Sequence, residues 1–290
     1  MSNGILIFAH NNQNIDYVKI ACLNALMIQK NMHTTNITLV TDKESLTSTS
    51  KELLNKCFEH VLLDSNRHSG KRLYRNIESK NVLLFFKNMD RCNAYNLSPY
   101  DETLVLDADY LIMNNSLNNV WNSAEDLLMN KNITPIFEKR DTRVFQRLDD
   151  FSIPLYWATA IYFKKSEIAE IFFNIIKNVK DNYLFYKQLY TFTSSLYRND
   201  YSASIAAHML GGFTENEGGN IKPLPTNSIV TAFENDSIYQ ISDVNNFVLL
   251  IERDDAKNSY ILTRIKDTNL HMFNKWTLME NYKELVELYE

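Results

Sequence analysis

The sequence predicts an α/β protein with a mixed, mostly parallel sheet flanked by helices, and three observations carry that expectation. Short apolar runs alternate with stretches of helical period through the first hundred residues. The runs are nearly continuous in Ile, Leu, Val and Phe, as in strands buried on both faces. Several end on polar or acidic residues, at the sheet edge where open α/β folds keep their ligand crevice.

Ile5-Leu6-Ile7-Phe8-Ala9 is the first strand. Tyr17, Ile20, Ala21, Leu23, Asn24, Met27 and Ile28 then fall at helical spacing, with Asp16 beside the positive end of the helix dipole. Ile37 to Asp42 is a second strand, Lys43 to Phe58 a second helix and His60 to Asp64 a third strand. A loop carrying Arg67, Lys71 and Arg72 follows, then a helix from Asn81 to Asn96 that feeds the strand at Leu104-Val105-Leu106. Right-handed crossovers would gather Ala9 to Asn12, Thr41-Asp42, Asp64 and Asp107-Ala108-Asp109 at one crevice. Further on, Leu155 to Phe163 reads as an aromatic strand. The helical segment Ser204 to Leu210 ends at Gly211-Gly212, and Thr277 to Tyr289 is a closing helix.

With 290 residues, 45% of them hydrophobic, the chain can bury a large core as one extended domain or two coupled halves. A net charge of −5 gives no global attraction to nucleic acid or to an anionic membrane. No apolar run approaches the roughly 20 residues of a membrane span, and Met1-Ser2-Asn3-Gly4 lacks a cationic leader region. Cys22, Cys57 and Cys92 lie far apart with no Cys-x-x-Cys, so neither a disulfide framework nor a zinc knuckle is expected. The expected compartment is a reducing cytoplasm.

The most informative stretch is Leu104-Val105-Leu106-Asp107-Ala108-Asp109, an apolar run ending on two carboxylates. An unpaired carboxylate at a buried strand end costs several kcal/mol, and a divalent cation removes that cost. Carboxylate oxygens suit Mg²⁺ or Mn²⁺, which commonly complete their shell with phosphate oxygens. About one Asp-x-Asp is expected by chance in such a composition, so the strand before it and the apolar Tyr110 to Met113 after it carry the reading. After the first strand, His10-Asn11-Asn12-Gln13-Asn14 is neither a dinucleotide-binding nor a P-loop pattern. A diphosphate here would need metal and cationic side chains.

Ile7-Phe8-Ala9-x-Asn11-x-Gln13 and Pro99 to Asp109 resemble nucleotide-sugar glycosyltransferases of the GT-A (Rossmann-like) fold. The nearest resemblance is to glycosyltransferase family eight, in its divergent phage-type branch. It implies a single GT-A domain over 1–290. Residues 1–113 would form a nucleotide-binding half ending in the Asp-x-Asp motif, 114–276 a smaller sugar and acceptor region, and 277–290 a C-terminal helix. It implies Mn²⁺ or Mg²⁺ on Asp107 and Asp109, and a nucleotide base and ribose at Asn11 and Gln13, with an acidic residue more usual at Asn11. His271-Met272-Phe273-Asn274-Lys275-Trp276 is similar to the family's C-terminal element, with Asn274 where Gly is usual. His271 would be the third metal ligand and Lys275 a catalytic residue on the diphosphate. Asp200 matches the acidic position that binds the transferred sugar, and Tyr201 stands where Gln is common. Leu155 to Phe163 resembles the strand that floors the sugar site, without its Asn-x-Gly.

The implied activity is metal-dependent transfer of a hexose from a nucleotide-sugar donor, UDP-linked by the family norm, with retained anomeric configuration. The acceptor would be a glycan, a protein or a modified DNA base. Two other classes stay open: a sugar nucleotidyltransferase, which would want a glycine-rich basic loop, and a non-catalytic binding module of the same fold. Asp200 also reads as a helix cap, and Trp157 as plain core. Lys71, Arg72, Arg75, Lys139, Arg140 and Arg143 read as solvated loop cations, one or two of them reaching phosphates. His10, His33, His60, His68 and His208 read as structural.

Overall fold

A computed structural model describes residues 2–64, 69–75, 81–150, 152–194, 196–214, 221–253 and 259–290, with the backbone alone at 72–75 and 81. The chain opens with β1 (Asn3–Phe8), α1 (Tyr17–Met32), β2 (Ile37–Thr41), α2 (Lys51–Cys57) and β3 (His60–Leu63). β1 pairs with β2, and β2 with β3, in parallel, so the expected βαβ start is present. α1 begins where the Asp16 carboxylate accepts the Lys19 N–H.

A hairpin of β4 (Gly70–Arg75) and β5 (Asn81–Phe86) and a single turn, α3 (Ala94–Leu97), precede β6 (Glu102–Asp107). β6 lies parallel to β1 on the side away from β2. After β7 (Tyr110–Leu111), β8 (Leu127–Asn130) and β9 (Ile133–Pro135), β10 (Trp157–Lys164) runs antiparallel to both β6 and β8. The central sheet has the order β3-β2-β1-β6-β10-β8: mixed and mostly parallel, as predicted.

Helices α4 (Glu167–Asp181), α5 (Tyr183–Leu189) and α6 (Asn199–Leu210) follow. Next come β11 (Ile229–Ala232), a meander of β12 (Ser237–Asp243), β13 (Asn246–Glu252) and β14 (Tyr260–Lys266), then β15 (Leu270–Met272). The chain closes with α7 (Lys275–Glu280) and α8 (Tyr282–Tyr289). A second sheet has the order β7-β15-β11-β9. Among the described residues no helix is long and apolar enough to cross a membrane.

The strand period of two divides the core across the central sheet. Ile5, Ile7, Leu104, Leu106, Ala160 and Tyr162 belong to the cluster that contains α1. Leu6, Phe8, Val105, Ile161 and Phe163 belong to the other, with Phe172 and Phe173 of α4 and Ala203 and Ala206 of α6. Covering both faces is what makes these strands continuous apolar runs. Gly4 in β1 is required by a close approach: a Cβ there would sit 2.4 Å from the Tyr100 ring.

Four expectations need correction. The segment from Asn81 is a strand, not a helix: Val82 to Phe86 alternate in burial with period two and pair with β4. Its apolar, aromatic run satisfied either reading on hydrophobicity alone. The helix placed over Lys43 to Phe58 is a 3₁₀ turn, Ser45–Ser48, followed by α2, which starts where Ser50 accepts the Leu53 N–H. The closing helix is two pieces that meet at Asn281. Lys71 and Arg72 lie on β4 rather than in a loop, and Arg67 and His68 lie outside the described residues.

Candidate metal centre

Asp107 is the last residue of β6, and Ala108-Asp109 turn the chain into β7. β7 pairs with β15, which sets Tyr110 opposite His271, and the Met272 N–H donates to the Asp109 carbonyl at 3.0 Å. This pairing of distant segments is what brings the imidazole to the carboxylates. His271 Nε2 lies 3.8 Å from Asp107 Oδ2 and 3.8 Å from Asp109 Oδ2. One ligand atom from each of the three falls within 4.8 Å of the others.

The other ring nitrogen, His271 Nδ1, is 3.2 Å from Thr159 Oγ1. A partner on one imidazole nitrogen orients the other as a metal ligand. An octahedral ion about 2.1 Å from its donors needs them about 3 Å apart when adjacent and about 4.2 Å when opposite. The 3.8 Å separations fall between those two values, and two carboxylates with one imidazole are a donor set better suited to Mn²⁺ than to Mg²⁺, which prefers oxygen ligands. The residues fit a divalent ion.

Both carboxylates also meet cations. Lys275 is the first residue of α7, where Asn274 caps the helix by accepting the Thr277 N–H. Its Nζ lies 2.5 Å from Asp109 Oδ2. Arg91, buried in the 3₁₀ turn after β5, pairs with Asp107 and donates to the Ala158 carbonyl at 2.8 Å. Burial alone would raise the Asp109 carboxyl, but Lys275 and His271 outweigh it and hold it at about 2. With both cations in place the two acidic charges are balanced. A divalent ion would leave the centre positive and matched to an anionic ligand.

Asp200 is in the first turn of α6 but does not cap it: the N-cap is Arg198, with no side-chain cap bond. Asp200 Oδ1 accepts the Ala158 N–H at 2.9 Å, which ties α6 to β10. Its Oδ2 accepts from Arg198 Nε at 3.1 Å and Nη2 at 2.9 Å. Asp200 and Arg198 line the same cleft as Asp107, Asp109, His271 and Lys275.

Asn11 and Gln13 are not among the described residues lining that cleft. Asn11 Oδ1 accepts the Val18 N–H at 3.0 Å and its Nδ2 donates to the Ser45 carbonyl at 3.0 Å, so it pins the loop between β1 and α1. Gln13 is exposed. Arg140 is a correction: it is a buried residue whose Nη1 and Nη2 donate to the Asp236 carboxylate at 2.6 and 2.9 Å. Arg143 is exposed and clasps Asp141, and Lys71 and Lys139 are exposed. His10 is structural as expected, with its N–H and Nδ1 on Asn88 Oδ1. The three cysteines are free and buried.

Sequence reasoning missed Arg91, Arg198, Thr159 and Asn199, all of which line the cleft. The polar break Asn88-Met89-Asp90-Arg91 between apolar runs was an available signal for the first of them.

No protein-family model matches the chain, and no curated protein matches it significantly. Among solved structures it is similar to the galactosyltransferase LgtC in complex with donor and acceptor sugar analogs (13% identity, 69% of each chain, TM-score 0.41). It is similar to mouse xyloside xylosyltransferase 1 in its apo form (11% identity, 72% of this chain and 82% of that one, TM-score 0.44). It is also similar to a cytidylyltransferase from Leptospira borgpetersenii (16% identity, 69% of this chain and 78% of that one, TM-score 0.33). These likenesses are too distant to carry residue roles or substrates across.

Proposed function

We propose that the protein is a metal-dependent glycosyltransferase that moves a hexose from a nucleoside diphosphate sugar, UDP-linked by the family norm, to an acceptor hydroxyl. A glycan, a protein or a modified DNA base would supply that hydroxyl. The observation that carries the reading is the convergence of Asp107, Asp109 and His271 within 4.8 Å, beside Lys275 and in the same cleft as Asp200. Under this reading 1–290 is one domain, with 1–113 as the nucleotide half, 114–276 as the sugar and acceptor half and 277–290 as the closing helical segment.

Mn²⁺ or Mg²⁺ held by Asp107, Asp109 and His271 would supply Lewis-acid stabilisation of the departing diphosphate. Lys275 and Arg91 supply cationic hydrogen-bond donors to the same group, in place of a glycine-rich backbone cradle. Asp200 fixes the transferred sugar, so that the acceptor oxygen meets the anomeric carbon in one orientation. Its negative charge favours the oxocarbenium-like transition state. Gln13 contacts the base or ribose, and Asn11 serves that contact by holding the loop.

With retention taken from the family resemblance, front-face attack is favoured over a covalent intermediate by the carboxylates of the cleft. Of the described residues lining the cleft, these are Asp107, Asp109 and Asp200. Two belong to the metal, and the third has bonds on both oxygens, so none of these described carboxylates stands ready as a nucleophile.

Donor hydrolysis by water tests the reading without knowledge of the acceptor. Purified protein with UDP- and GDP-sugars should release nucleoside diphosphate in Mn²⁺ or Mg²⁺ and stop when the metal is chelated. A protein that neither hydrolyses nor binds any of these donors is not a glycosyltransferase of this kind.

A further inference from the structure

Lys180 lies in the last turn of α4, and its ammonium pairs with the carboxylate of Asp90. The two side chains are 5% and 4% exposed, and neither residue is among the described residues that line the cleft. Replacing such a buried pair by apolar residues is commonly neutral or stabilising, so stability does not account for it. Asp90 stands in the N-cap position of the 3₁₀ turn Arg91–Asn93, where an Asp ordinarily accepts a turn N–H. It makes no side-chain cap bond there. Its carboxylate is spent on α4 instead.

The segment around Asp90 ties several elements of the cleft together. Asn88 Oδ1 accepts the N–H of His10, just past β1, at 2.8 Å, and the Asn88 carbonyl accepts Asn199 Nδ2, in the first turn of α6, at 2.9 Å. Arg91 donates to the Ala158 carbonyl of β10 at 2.8 Å and pairs with Asp107 at the end of β6. A single 3₁₀ turn has weak internal bonds, so contacts with other elements set its orientation, and α4 packs directly against it. Of two adjacent residues, Asp90 is held by α4 and Arg91 is delivered to the metal centre.

Resting on the glycosyltransferase reading, we infer that Lys180 is a positioning residue that acts through Arg91. Its pair with Asp90 fixes the turn that keeps the guanidinium on Asp107, beside the site of the donor diphosphate. Without the pair the guanidinium leaves Asp107, and two affinities move in opposite directions. The metal ion loses a like charge next to its ligand and binds more tightly. The diphosphate loses a cationic hydrogen-bond donor and binds less tightly. A general loosening of the cleft would weaken both.

The test uses the double variant Asp90→Asn/Lys180→Met, which removes both charges and leaves neither one buried alone. Lys180→Arg, which keeps the pair, is the conservative control. Calorimetry measures Mn²⁺ alone, then UDP and GDP in excess Mn²⁺, beside the melting temperature. The double variant should melt near the parent, bind Mn²⁺ several-fold more tightly and bind the nucleoside diphosphate about tenfold less tightly. Lys180→Arg should match the parent in all three. In an Arg91→Met background the same double change should move neither affinity, because the residue it acts through is gone.

Weaker binding of both ligands, or an effect that persists in the Arg91→Met background, overturns the inference. Loss of cooperative melting in the double variant also overturns it, since the pair would then hold the fold and not the aim of one side chain. A parent that binds Mn²⁺ and a nucleoside diphosphate while the double variant matches it removes only Lys180. A parent that binds neither UDP nor GDP removes the function reading and this inference together.

Discussion

Lys275 Nζ lies 2.5 Å from Asp109 Oδ2, a buried ion pair across the gap between α7 and the turn after β6. The ammonium therefore occupies a coordination direction of the carboxylate that a metal ion would also use. Lys275→Met should bind Mn²⁺ alone more tightly, by several-fold to about tenfold, because a like charge has left the site. Its donor hydrolysis should nevertheless fall by at least about an order of magnitude, because the cation on the diphosphate is gone. Calorimetry with Mn²⁺ and a hydrolysis assay check both halves. Unchanged turnover would reduce Lys275 to a structural partner of Asp109.

The same pairing makes the metal-free protein sensitive to acid. Asp109 sits at about 2 in the folded chain, against about 3.9 for an unperturbed Asp. Between those values the unfolded chain binds more protons, so the stabilisation is complete above about pH 4 and drains as the pH falls toward 2. Its size is on the order of 2–3 kcal/mol. Urea unfolding in chelator at stepped pH should show the parent losing stability through this window, and Asp109→Asn losing less.

How much of this was legible in the sequence depends on whether a residue's role is local. Asp107 and Asp109 were readable because a buried strand ending on two carboxylates needs a partner for each, a cation of the chain or a bound metal ion. The β1–β2–β3 order followed from apolar runs and crossovers for the same local reason. His271 reaches the carboxylates only through the β7–β15 pairing, a non-local contact that the pattern does not encode and the family resemblance supplied. Arg91 was passed over because its partner, Asp107, lies elsewhere in the chain; Arg198 pairs with Asp200 only two residues on, and what the pattern does not encode is the bond from Asp200 to β10. The helix expected over Asn81 to Asn96 failed because Val82 to Phe86 are apolar enough for either period, and only pairing with β4 decides it.

Arg140 illustrates the same point with a stability consequence. Its guanidinium makes two bonds to Asp236, and the side chains are 2% and 0% exposed. Arg140→Ala strands a buried carboxylate, and should destabilise by about 3–5 kcal/mol, visible as a drop in melting temperature. Arg143→Ala, three residues on and solvent-exposed, should leave the melting temperature where it was. Similar small effects for both would mean that the Arg140 pair opens to water.

Asp200→Asn separates chemistry from architecture. The amide oxygen of Asn can still accept the Ala158 N–H that Asp200 accepts at 2.9 Å, so the α6–β10 tie survives. What is lost is the negative charge, and with it the pair with Arg198 and any stabilisation of positive charge on the sugar. The Asp200 side chain is 14% exposed, so the broken pair should cost about 1 kcal/mol of stability or less. If Asp200 acts on the sugar, kcat should fall tenfold or more, on the order of 2–3 kcal/mol, with affinity for free nucleoside diphosphate little changed. Arg198→Gln supplies the control. Were Asp200 needed only to position Arg198, this variant would lose as much activity, and the double variant would lose no more than either single one. An Asp200→Asn protein that melts near the parent and turns over donor at full rate would remove Asp200 from the sugar site. The metal centre of Asp107, Asp109 and His271 would be untouched by that result, because the variant tests the contact to the sugar and not the binding of the ion.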